Sequence, residues 1–199
     1  YWNEGKLNRE IIKDYAEQYY QHVKAFPRYI SATHSICEDI EKRRILLENL
    51  QDEENKDGDH PKLWKNFAKA LGADEKEIEN VKLDWFTKDM IDNFFVQARK
   101  SYAEGLASLY TYERQIPEIA ETKIQGLKKF YGVQSKEGLE FFEAHKSADV
   151  IHRAECEKLL DSLSKEEQEK AETASLLTAR YLWNFLSGMT SKHKLKAAA

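Results

Sequence analysis

This chain has little to turn with. Eight glycines and three prolines in 199 residues are under half the usual share of about 12%, which argues against many short strands joined by reversals and for long helices. The apolar pattern agrees. Leu7, Ile11, Ile12, Tyr15, Tyr19, Val23 and Phe26 recur at helical spacing, with Asn8 suited to cap the start and Pro27 expected to interrupt the end. A second run from about Tyr29 carries Ile36, Ile40, Leu46, Leu47 and Leu50 and breaks down in the polar stretch 54–59. Pro61 suits a helix first turn because it has no N–H to lose, so Leu63, Trp64, Phe67 and Leu71 form a short amphipathic helix closed by Gly72. Asp74 with Glu77 reads as a capping box. From Thr87, Met90 through Leu109 and Tyr110 reads as one long helix running towards Pro117, and Ile119, Lys123, Leu127 and Phe130 continue the period to Gly132. Two further helices are expected from about Ser135 to Leu163 and from the capping box Ser164 to Glu167 onward. No repeat or flexible linker divides the chain, so the expectation is a single all-α bundle.

Charge limits the partners. Lys and Arg number 31 against 35 Asp and Glu, a formal charge of -4, and such a surface lacks the basic excess needed to neutralise many phosphates, so nucleic acid is not expected. No segment reaches the ~18 apolar residues of a membrane span, and no charged-then-apolar leader is visible. Cys37 and Cys156 alone are too few for a disulfide scaffold and fit a reducing cytoplasm. The missing initial Met and the ending Lys194-Leu195-Lys196-Ala197-Ala198-Ala199 suggest a trimmed chain, with residues 1–190 as the domain and 191–199 as a tail of vector type, His193 included.

His145, Asp149 and His152 are separated by four and then three residues, which keeps them on one helical face. Imidazoles and a carboxylate at that spacing are how bundles build metal sites, although a polar stripe facing water has the same spacing. Phe141, Phe142, Ile151 and Cys156 around the stripe point it inward. Buried groups of this kind must then be paired or bind a cation. Glu53 and His60 near the polar loop, and Glu113 in the long apolar run, could complete it. Three carboxylates and three imidazoles form a two-metal inventory with one positive charge left over. That charge suits O2 activation better than structural binding.

Segments spread along the chain carry a resemblance: Trp2-Asn3-Glu4-Gly5-Lys6-Leu7, Tyr19 to Pro27, Asp52-Glu53-Glu54-Asn55 with His60-Pro61, Tyr112-Glu113-Arg114-Gln115-Ile116-Pro117, and His145 to His152. Over about residues 2–190 the sequence resembles the haem-oxygenase-like dimetal oxidases, in particular their CADD-type branch. The resemblance implies a bundle of about seven helices without haem. It also implies two first-row metals, Fe/Fe or Mn/Fe, held by Glu53, His60, Glu113, His145, Asp149 and His152. The implied activity is synthesis of 4-aminobenzoate for folate from the protein's own side chains, a tyrosine giving the ring and a lysine the amine, with O2 and an external reductant. Lys123 matches the amine donor, and the ring donor would precede Tyr1. Tyr15 and Tyr112 match tyrosines near the family's site that could relay an electron or proton; as two of ten tyrosines they could equally be aromatic core.

For Lys123 to act, its amine must be partly neutral, which burial would favour. Without the resemblance it is one solvated lysine among many. His22 and His34 read as packed or hydrogen-bonded histidines, and Cys156 as a small buried hydrophobe. Three rival readings stay open. A related dimetal oxidase could act on a free small molecule. TenA-type thiamin-salvage hydrolases would need a cysteine near Ser108 to Tyr112, where there is none. A helical docking module could use the acidic stretch Lys165 to Glu172, a protein partner being suggested by the branch's association with death domains alone. Oligomeric state is open, a homodimer included.

Overall fold

The computed structural model describes residues 1–56 and 58–195; for residues 147–151 it gives the helical course alone. A short 3-10 turn at Trp2–Glu4 precedes α1 (Arg9–Ser35), in whose first turn the Ile11 N–H donates to the side chain of Asn8. Pro27 does not end α1, contrary to the reading above. Its missing hydrogen bond and ring clash usually cost about 3 kcal/mol or more in a helix interior. Here the neighbouring Phe26, Tyr29 and Ile30 are all buried against other helices, and that packing outweighs the local penalty. The second helix therefore starts later than expected, as α2 (Ile40–Glu53) capped by Asp39.

Asp59 caps α3 (His60–Ala70), with Pro61 in its first turn, and a complete capping box at Asp74 and Glu77 opens the six-residue α4 (Glu75–Asn80). The expected long helix from Thr87 is two helices, α5 (Trp85–Lys100) and α6 (Tyr102–Glu113). Ser101 between them is extended, at φ -156 and ψ 163. Its hydroxyl accepts from the Glu104 N–H at 3.2 Å and donates to the Glu104 carboxylate at 2.8 Å. The remaining helices are α7 (Ile116–Phe130), α8 (Lys136–Asp161) and α9 (Lys165–Lys192), the last opened by the Ser164–Glu167 box. Nine α-helices are present among the described residues, where about seven were expected. The break at Ser101 and the short α4 add to the number.

The fold is an all-α bundle. α1 runs through the middle, in contact with α2, α3, α5 and α6, while α8 packs on α3, α6 and α7, and α9 on α5 and α6. Two large apolar clusters share α1. One holds Ile12, Trp64, Phe67 and Phe141, the other Phe26, Tyr29, Phe94 and Phe185. α9 extends into the segment read as a tail: Lys192 bridges Asp14 and Asp84, and His193 pairs with Asp14 at 2.7 Å. No helix among the described residues is long and apolar enough to cross a membrane.

The N-terminal turn is fastened by one close approach. The Trp2 indole N–H donates to the Thr122 carbonyl at 3.1 Å, and a Cβ on Gly126 would fall inside that indole. We expect Gly126→Ala to destabilise the protein by about 1–3 kcal/mol through overpacking, read from urea unfolding. In the Trp2→Ala background the same change should cost far less, because its obstacle is gone.

Candidate metal centre

Three helix ends and one helix interior meet at the site. Glu53 is the last residue of α2, His60 the first of α3, Glu113 the last of α6, and His145 and His152 lie two turns apart on α8. All five are buried, Glu53 to 4% and Glu113 to 1% exposure. Both carboxylates stand at helix C-termini, where the helix dipole is negative, so the backbone itself favours a cation there and disfavours bare carboxylates.

Donor atoms of Glu53, His60 and His145 lie within 4.8 Å of one another. Oε2 of Glu53 is 2.8 Å from Nδ1 of His60, yet that nitrogen has no hydrogen-bond partner among the described residues. The two atoms are close without pointing at each other, as donors aimed at a shared point between them would be. The His60 and His145 rings lie against one another, centroids 4.1 Å apart. Nδ1 of His145 is 2.7 Å from the Phe141 carbonyl. A carbonyl only accepts, so this nitrogen carries the proton and Nε2 is left with the lone pair that a metal needs.

Glu113 and His152 adjoin this trio. Burial raises the Glu113 carboxyl to about 7, against the pull of an Asn49 hydrogen bond and the His152 charge, with Glu53 adding to the rise. The Asn49 amide donates to Oε1 of Glu113 at 2.6 Å, and the Cys156 thiol reaches Oε2 at 3.6 Å. Cys156 is thus a buried thiol with a polar contact as well as a hydrophobe. Nε2 of His152 meets Oδ2 of Asp52 at 3.0 Å. Burial holds His145 well below the ordinary imidazole range, helped by the neighbouring His60 charge. His60 is pushed down by burial, but the Glu53 carboxylate, with Asp52 and Asp59, more than offsets this and leaves it raised. The donor set suits a first-row cation: carboxylates and imidazoles are buried side by side, one His60 nitrogen has no hydrogen-bond partner among the described residues, and a His145 nitrogen is oriented by a backbone carbonyl. Asp149, the remaining sequence candidate, lies outside the described residues.

Asn49 and Asp52 were not singled out from sequence. Asn49 stands four residues before Glu53 on the same face of α2, and Asp52 adjoins Glu53 in the motif already quoted, but their partners Glu113 and His152 lie far along the chain.

Lys123 and Tyr15 sit apart from this cluster. The Lys123 Nζ lies 3.7 Å from the centroid of the Trp2 ring and 4.6 Å from that of Tyr15. No ion pair to it is found among the described residues, and burial alone lowers the amine to about 7. It borders a cavity of about 450 Å³ lined also by Trp2, Ile11, Tyr15, Trp183 and Met189. Burial raises the Tyr15 phenol well above its ordinary range. The two regions are joined by rings: Tyr15 to Trp64 at 6.0 Å, Trp64 to Phe141 at 4.8 Å, and Phe141 to His145 at 4.0 Å. Tyr112 is buried beside Glu113 and hydrogen-bonds with Tyr19, which stacks on Tyr15 at 5.4 Å. Trp64, read from sequence only as a core residue, is the ring common to both regions. His22 is packed in rings, as expected, and burial lowers it to about 3, so it is neutral.

A family model described as an iron-containing redox enzyme matches residues 13–183. A protein of Chlamydia pneumoniae named 4-aminobenzoate synthase is 41% identical over 188 residues, covering 94% of this chain and 84% of that one. One of the same name from Nitrosomonas europaea is 39% identical over 202 residues, covering 94% and 81%. The crystal structure of a TenA homologue from Pseudomonas syringae superposes with a TM-score of 0.82 at 17% identity, covering 96% of this chain and 83% of that chain, a likeness of fold alone. The buried carboxylate and imidazole cluster, on a bundle of this shape and with these relatives, makes the chain a member of the haem-oxygenase-like family of iron-containing redox enzymes.

Proposed function

We propose that this protein is a dimetal, O2-dependent oxidase that makes 4-aminobenzoate from one of its own tyrosines, preceding Tyr1, and from the nitrogen of Lys123. The observation that carries the reading is the buried convergence of Glu53, His60 and His145, with Glu113 and His152 beside them, in a chain about 40% identical to proteins named for that product. Glu53, His60, Glu113, His145, Asp149 and His152 would hold two first-row ions, Fe/Fe or Mn/Fe, which supply O2 activation with electrons from an external reductant.

The chain's own residues prepare the rest. Phe141 fixes the His145 ring through its carbonyl and, with Trp64, keeps water from that side of the cluster. Asn49 holds one oxygen of Glu113 by its amide, which orients the carboxylate. Tyr15 and Tyr112 are the candidates to pass an electron or proton. Tyr112 is joined to the cluster through Glu113, its neighbour in the chain, and Tyr15 through the Trp64–Phe141 ring series. The rings of Trp2 and Tyr15 lie against the Lys123 amine and partly withdraw it from water, so that near neutral pH a large share carries the lone pair a nitrogen donor must have.

The direct test loads the full-length protein anaerobically with Fe(II), or Mn(II) plus Fe(II), and then adds O2 and a reductant. The reading expects 4-aminobenzoate together with mass loss from a tyrosine. Oxidation without that product would reduce the reading to a dimetal oxidase acting on another substrate.

Two further outcomes are expected. Elemental analysis should find about two first-row ions per chain, and both Glu113→Ala and His145→Ala should lose most of that metal while circular dichroism stays helical. Acylation of Lys123, followed by peptide mass spectrometry, should rise through about pH 7 and level off, because deprotonation is complete above its lowered value. Surface lysines should keep gaining reactivity towards the ordinary 10.5.

A further inference from the structure

The end of α9 adopts a backbone conformation that its sequence does not favour. Lys194 has φ 52 and is the one non-glycine residue at positive φ among the described residues. A side chain there crowds the backbone, which is why glycine usually ends a helix in this way. The turn is nevertheless fully formed. The Lys194 N–H donates to the Ser191 carbonyl and the Leu195 N–H to the Thr190 carbonyl, both at 3.0 Å. This pair of bonds reverses the chain and brings Leu195 back against the helix it has just left.

The reversal has a place to go. Leu195 joins Met189 and Thr190 in the wall of the cavity that Lys123 borders, and α1 supplies the facing wall through Ile11, Ile12 and Tyr15. α9 packs its length on α5 and α6. Its end is drawn across to α1 by charge. Lys192 pairs with Asp14 and with Asp84, each at 2.7 Å, and His193 pairs with Asp14 at 2.7 Å. Asp14 follows Ile12 by two residues, so the carboxylate that gathers both cations stands at the edge of the cavity wall. A solvated helix end needs neither a strained turn nor two cations on one carboxylate. Strain of this kind persists where the surrounding contacts hold it in place.

We propose that the end of α9, from Met189 to Leu195, is a strap that closes one side of the Lys123 cavity, and that Asp14 is the positioning residue that holds it shut. All the paired groups are partly exposed, and ion pairs of that kind are individually weak. The strap therefore opens by local unfastening while the bundle stays folded. Small solutes enter when the pairs at Asp14 part and Leu195 leaves the wall, and are excluded when the turn re-forms. The proposal concerns access alone and is independent of the 4-aminobenzoate reading.

The test puts a thiol inside the cavity and measures how fast it is reached. Ile12→Cys places it in the wall at a position now 1% exposed. The full-length protein, without added metal, is treated with iodoacetamide, and alkylation at residue 12 is followed by peptide mass spectrometry. Cys156, buried in the other large apolar cluster, reports opening of the whole bundle in the same sample. In Asp14→Ala, and separately in Leu195→Ala, alkylation at residue 12 should rise roughly tenfold, the order expected when a local closure loses two ion pairs or its apolar plug, with Cys156 unchanged. Glu77→Gln, which weakens a pair made by Lys13 on the same helix, should leave both rates as they were. The proposal is overturned by a rate at residue 12 that either strap variant leaves unmoved, by a rise shared by Cys156, or by an equal rise in Glu77→Gln, whether or not the metal-loaded protein makes 4-aminobenzoate.

Discussion

Burial of two carboxylates at the negative ends of two helices is the constraint around which this bundle is arranged. Glu53 closes α2 and Glu113 closes α6, both almost fully withdrawn from water. Removing such groups from solvent costs several kcal/mol each unless opposite charge is supplied, and the helix dipoles add to the cost. The protein supplies part of the compensation itself, by the Asn49 amide at Glu113 and the His60 ring at Glu53. What it supplies falls short, since the Glu113 carboxyl is still held near 7 by burial. Under the proposed reading, divalent cations between these groups would offset the deficit.

The aromatic interior follows from this placement. Polar donors at the helix ends need a dry wall behind them, and Phe141, Trp64 and Tyr15 form one that runs continuously to Lys123. The wall does two things at once. It orients His145 through the Phe141 carbonyl, and its far end lies against an amine that has no counter-ion among the described residues. The donor cluster and the Lys123 amine are thus linked by a series of rings.

Much of this is readable from sequence because helices bury one face, and that face repeats. The starts at Asn8, Ser164 and Asp74 are local chemistry and sit where the capping residues place them. The misplaced boundaries have separate reasons. At Pro27 the local penalty is overridden by neighbours from other helices, information a single sequence does not contain. At Ser101 the signal was present, a serine followed three residues later by Glu104, but continuous apolar spacing across it masked the break. Within the site, the spacing from His145 to His152 is a property of one helix and could be read directly. The approach of Glu53, His60 and Glu113 depends on how α2, α3 and α6 end, and only the resemblance to known oxidases joined them beforehand. Asn49, Asp52 and Trp64 were passed over because their roles lie in contacts with groups 64, 100 and 77 positions away in the chain: Glu113, His152 and Phe141.

The central claim is that one buried cluster holds a pair of cations. Anomalous diffraction at the iron and manganese edges, from crystals grown with those metals, measures it most directly. The account predicts two strong peaks inside the bundle, both within coordination distance of donors drawn from Glu53, His60, Glu113, His145 and His152. Peaks confined to the outer surface, or a loaded crystal with no peak among these residues, would contradict it.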